Sequence, residues 1–144
     1  MELEAQLIIL PSGDSSATGT NSDFRLELAQ PVDLGRGKYE ILLVDLSCAK
    51  PAATPRSLFV YTDLVDGVIL GSSVYPLVFK SPPVSDPGNG NALFLVPQGN
   101  FNRWVPATSR VFRSVHVWIT DSTGAPLSSG FETIVTLAIR KISD

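Results

Sequence analysis

The most regular alternation in the chain is "DFRLELAQP", where Phe24, Leu26 and Leu28 are interleaved with Arg25 and Glu27. Successive side chains of an extended segment point to opposite faces, so this stretch predicts a half-buried β-strand with its apolar residues inward. "KYEILLVDLSCA" differs: Tyr39, Ile41 and Leu43 fill one parity, and Leu42, Val44 and Leu46 fill the other. Both of its faces should be covered, as in a central strand or one shielded by another subunit. Shorter extended pieces are predicted in "AQLIIL" before Pro11, in "SLFVYTDLV", once or twice within "DGVILGSSVYPLVFKSP", and in "ALFLVP" and "VFRSVHVWIT". In the closing "FETIVTLAIRK", Thr133, Val135, Leu137 and Ile139 oppose Glu132, Thr136 and Arg140, while Ile134 and Ala138 soften the outer face.

Between these runs lie turn formers. "SGDSSATGTNS", Ser12 to Ser22, and "SPPVSDPGNGN", Ser81 to Asn91, predict exposed loops, and "QGNFNRWVPATSR" an irregular or edge segment. The sum is eight or nine extended segments with no helix longer than a turn. One all-β domain spanning residues 1–144 follows, a two-sheet antiparallel β-sandwich. An immunoglobulin-like sandwich lacks its usual pin because a second cysteine is missing, and the long connections with structured terminal segments favour a single jelly roll.

Composition agrees with a sheet protein: 44% of residues are hydrophobic, only 17% are charged, and 11 Gly and 11 Pro interrupt the chain. A formal charge of −3 provides little attraction for a polyanion, so specific nucleic-acid binding is not expected. Cys48 is the only cysteine, which excludes an intramolecular disulfide framework and leaves only an intermolecular bridge open. "MELEAQLIILP" has neither the basic start of a signal peptide nor the length of a membrane-spanning segment. A soluble protein of the cytoplasm or nucleus, without membrane insertion, is the expectation.

Candidate chemistry concentrates in "SVHVWITDSTG", which holds the single histidine, His116, five residues before Asp121. On a strand, His116 shares a face with Ser114 and Trp118, and Val115, Val117 and Ile119 take the core face. "DSTGAP" suits an Asx-type turn, which gives Asp121 a structural role. A Ser/His/Asp triad would need only convergence in space, but neither a GxSxG elbow nor an oxyanion hole is identifiable. No catalytic residue, cofactor or metal is therefore assigned. Asp63, Asp66, Asp86 and Asp121 do not fit a twelve-residue calcium loop, and "GNGNALFLVPQGN" lacks the phosphate-loop lysine.

What exceeds the background is apolar material on faces that a lone sandwich leaves wet. Leu42, Val44, Phe59, Tyr61 and Trp118 are the interface candidates, which predicts a homo-oligomer, a trimer or pentamer before a dimer. A rival reading is a carbohydrate- or receptor-binding sandwich, with Asn102, Arg103 and Trp104 of "FNRWVP" facing a glycan or cell-surface receptor.

"FRLELAQPVDLGRGKYEILLVDLS", Phe24 to Ser47, resembles small structural proteins of Polinton-like and adinto-like double-stranded DNA viruses and their genomic relics, at Pro31, Leu34, Gly37, Tyr39, Glu40 and Leu43. "LFVYTDLVDGVILGSSVYPLVF" is similar in its Tyr/Asp strand, Gly71 and the Pro76-Leu77 pair. The segment Val105 to Lys141 is similar in its Asp/Thr-Gly-x-Pro turn, at Asp121, Thr123, Gly124 and Pro126, and in its final Thr136-Leu137 strand. Cys48-Ala49 and Asp66-Gly67 depart from that pattern, where an aromatic-Pro and an acidic-Pro pair would stand. The resemblance implies a non-enzymatic virion protein, a capsid vertex or minor capsid jelly roll, with other capsid proteins as further partners.

Overall fold

The computed structural model describes residues 5–51, 56–85, 92–97, 103–127 and 131–143. Twelve strands occur among them, and no helix. They are β1 (Gln6–Pro11), β2 (Ala17–Gly19), β3 (Asp23–Asp33), β4 (Lys38–Ala49), β5 (Leu58–Thr62), β6 (Val68–Leu70), β7 (Ser73–Tyr75), β8 (Leu77–Lys80), β9 (Ala92–Leu95), β10 (Val105–Pro106), β11 (Val111–Asp121) and β12 (Ile134–Ser143). One sheet runs β1-β12-β4-β10, with β9 also paired to β4, and the other runs β2-β3-β11-β5-β8. β6 and β7 form a separate hairpin. Every pairing is antiparallel.

Eight or nine strands were expected, and the surplus consists of short pieces. β2, β6, β7 and β10 contain two or three residues each, too few to print an alternation in the sequence. β2 lies inside the polar Ser12–Ser22 stretch, which is thus partly sheet. The Ser81–Asn91 stretch also begins differently from an exposed loop: Ser81 is fully buried, its hydroxyl accepting from Leu58 N–H at 2.8 Å and donating to Pro82 O at 2.7 Å. Residues 86–91 lie outside the described residues.

The core sits between the inner faces of the two sheets. Leu10, Val135 and Leu46 form one row across β1, β12 and β4, and Phe24 and Val117 form another across β3 and β11. Leu46 had been assigned to the second face of β4, and a bulge explains its position. Thr136 stands opposite Asp45 and Leu137 opposite Leu43, which leaves Val44 as the extra residue. One additional residue flips the parity beyond it, so Leu46 and Cys48 turn into the core. Burial pushes the Cys48 thiol up to about 12. A thiol that stays protonated and covered is withheld from the intermolecular bridge that the sequence left open.

Asp121 closes β11. Its Oδ1 accepts from Thr123 N–H at 2.8 Å, Thr123 Oγ1 at 2.6 Å and Ala125 N–H at 3.1 Å, and Gly124 takes a positive φ of 86°. Burial pushes this carboxyl up, but the Thr123 and Ala125 hydrogen bonds and the charge of Arg56 outweigh it and hold it below the usual carboxylate range. Asp121→Ala strands these donors and should cost about 2 kcal/mol at neutral pH. Because the folded-state value is depressed, the contribution is full above the unfolded carboxylate value near about 4 and is lost as pH falls through the folded one. Urea midpoints for the two proteins should therefore lie furthest apart at neutral pH and converge in acid.

Candidate interaction face

The outer face of the first sheet is built from alternate residues of its strands. Leu7 on β1, Ala138 on β12 and Leu42 on β4 stand side by side in one row. Ile9, Thr136 and Asp45 form the next, with the bulged Val44 beside them. Pro11, Ile134, Ser47 and Phe94 of β9 form a third. Leu7 is 63% exposed, Ile9 nearly as much and Phe94 68%, while Leu42 and Val44 are half-buried. Ala138 and Thr136 are buried between them because small side chains sink among larger neighbours. The result is a largely apolar face, interrupted by Asp45 and Ser47 before Phe94, of the kind that marks a contact surface.

One end of this face is closed by polar chemistry. Arg140 Nη2 and Nε reach Glu40 Oε1 at 2.9 and 3.1 Å, and the Arg140 guanidinium lies 4.0 Å from the centre of the Trp104 ring. Trp104, proposed from the sequence as a sugar-stacking residue, thus covers a cation of its own chain. Arg103 beside it is exposed, and Asn102 lies outside the described residues.

The remaining interface candidates gather on the outer face of the second sheet. Trp118 and Tyr61 are cross-strand partners, stacked with centroids 5.2 Å apart and 10° between planes, and Phe59 is half-buried beside Thr120. Tyr61 is only 5% exposed: Trp118 lies against it, and Tyr75 of the β6–β7 hairpin approaches to 6.0 Å. A single chain therefore covers Tyr61, which removes it from any contact surface. The same hairpin turns Ile69 and its partner Val74 outward, Ile69 being 81% exposed. This ridge is a second apolar patch, distinct from the first.

His116 occupies the expected face, with its ring 4.4 Å from that of Trp118. Nε2 meets Asp23 Oδ1 at 2.6 Å, and the His116 backbone N–H donates to Asp63 Oδ1 at 3.0 Å. Asp63 in turn pairs with Arg25 at 3.7 Å. Asp23 carries no mark in the sequence and Asp63 was weighed only as an oxygen ligand, because they approach His116 from β3 and from the end of β5 and only strand register brings them together. Leu7, Ile9 and Phe94 escaped it as well, since "AQLIIL" and "ALFLVP" are too short to reveal which parity faces inward. Asp66, weighed as an oxygen ligand, donates its backbone N–H to Pro106 O at 3.0 Å, and Asp86 lies outside the described residues.

No protein-family model matches the chain, and no curated protein matches it.

Proposed function

We propose that the chain is a non-enzymatic structural protein of a virion, a capsid vertex or minor capsid subunit of the Polinton-like and adinto-like kind, which self-associates. The observation that carries this reading is the uncovered apolar face of Leu7, Ile9, Leu42, Val44 and Phe94. Covering a few hundred square ångströms of it contributes several kcal/mol at about 25 cal/mol per square ångström, before ordering costs. The resemblance at Phe24–Ser47 and Val105–Lys141 points the same way.

Strand order supports a single jelly roll. Taking β1, β3, β4, β5, β8, β9, β11 and β12 in chain order, the first pairs with the last (β1·β12) and the second with the seventh (β3·β11). The third pairs with the sixth (β4·β9) and the fourth with the fifth (β5·β8). This is the nesting of one long hairpin rolled into two sheets.

A ring of three or five subunits makes only heterologous contacts, so each subunit needs two different patches. The sheet face and the Ile69/Val74 ridge fill those two places, which favours a trimer or pentamer over a symmetric dimer. Light scattering on the purified chain across the micromolar range is the test. A closed oligomer is the expected result, and a monomer at every concentration overturns the proposal.

A further inference from the structure

The β6–β7 hairpin does more than shield Tyr61. Between its tip and the outer face of the second sheet lies an open cleft of about 590 Å³, bounded at its far end by the turn after β11. That volume is within the range of small-ligand sites, roughly 300–1,000 Å³. Its aromatic lining consists of the half-buried Trp118, already stacked against His116 and the covered Tyr61, and of the Tyr75 ring, which at 41% exposed forms a side wall.

Its rim is made of hydroxyls. Ser72 and Ser122 make no hydrogen bond among the described residues. Thr120 Oγ1 donates to Asp121 O at 3.0 Å and accepts from Tyr61 OH at 3.4 Å, and Thr123 Oγ1 donates to Asp121 Oδ1 at 2.6 Å, so each retains a lone pair that can accept. Gly71 and Gly124, at the two turns facing the cleft, have positive φ and open space where a side chain would stand, so no side chain of theirs narrows it.

Charge narrows the ligand class. None of the described lining residues is cationic, and Asp121, their one carboxylate, is buried with Oδ1 occupied by its own turn. An anion would find no cation among these lining residues to neutralise it, and a purely apolar ligand would desolvate hydroxyls without pairing them. A sugar ring matches both halves of the site, with its C–H face for the Tyr75 ring and the accessible part of Trp118 and its hydroxyls for the serine and threonine rim. We propose that this cleft binds a neutral hexopyranoside. It lies on the opposite sheet from the Leu7, Ile9 and Phe94 face, it adjoins the hairpin that also carries the Ile69/Val74 ridge, and it is separate from the Arg103 and Trp104 segment.

The chain has two tryptophans, so Trp104→Leu leaves Trp118 as the only indole reporter and at the same time removes the other aromatic weighed for sugar stacking. In that background, the methyl glycosides of glucose, galactose and mannose are titrated separately while Trp118 emission is followed. At least one should give a saturable change in the millimolar range. Tyr75→Ala should weaken it at least tenfold, and Ser122→Leu, a bulky side chain at the exposed rim, should abolish it with the melting temperature unchanged. Glucuronic acid should bind more weakly than the best neutral glycoside. No saturable response to any of the three glycosides overturns the proposal, as does unchanged affinity in both variants or tighter binding of glucuronic acid. Oligomeric state measured on the same samples keeps this outcome separate from that of the association face.

Discussion

Phe24→Ala is expected to remove roughly 3–5 kcal/mol of folding stability, the range for truncating a fully buried aromatic side chain. Phe24 is 1% exposed on the inner face of β3, paired with Val117 of β11 on one side and Gly19 of β2 on the other. Neighbouring β-branched side chains are stiff and the sheets are fixed by their ladders, so the space left by the ring cannot close. In a chain of this length the melting midpoint should fall by roughly 10 °C or more. Leu28→Ala provides the contrast: it belongs to the same alternation, but its side chain is only half-buried toward the end of the row, and about 1 kcal/mol is expected. Thermal unfolding followed by circular dichroism checks both. Equal losses would mean that the core extends along the whole strand.

That contrast also shows where the sequence was legible. Phe24, Leu26, Arg25 and Glu27 reveal their faces because one side of β3 meets the core and the other meets water. Val115, Val117 and Ile119 do the same on β11, and the Asp121 turn is written in its own residues. β4 was only half legible. Both parities are apolar, and the position of the bulge depends on pairing with β12, a strand about ninety residues away. No local pattern fixes that register, so Leu46 could not be placed from its neighbours. The aromatic residues were misleading for a related reason. Tyr61 and Trp118 are surplus to the sandwich interior, but a hairpin between β5 and β8 folds back over part of them. The three-residue strands of that hairpin are visible only through their pairing.

The apolar face instead lies on β1, β4 and β9, and charge insertion there is expected to abolish assembly while leaving the fold intact. In the Leu7→Lys/Ile9→Lys variant, two exposed side chains on a sheet edge are exchanged for cations, so the monomer loses little packing. Association would bury two unpaired ammonium groups, several kcal/mol each, more than the apolar contact contributes. The sedimentation coefficient should fall to that of a single chain, with far-ultraviolet dichroism unchanged. Ile69→Lys/Val74→Lys should do the same from the hairpin ridge. The decisive measurement mixes the two variants. In a head-to-tail ring, the intact ridge of the first still docks on the intact face of the second, and the mixture stops at a one-to-one heterodimer with no larger species. If the sheet face instead met its own copy about a two-fold axis, the ridge variant would dimerise alone and mixing would change nothing.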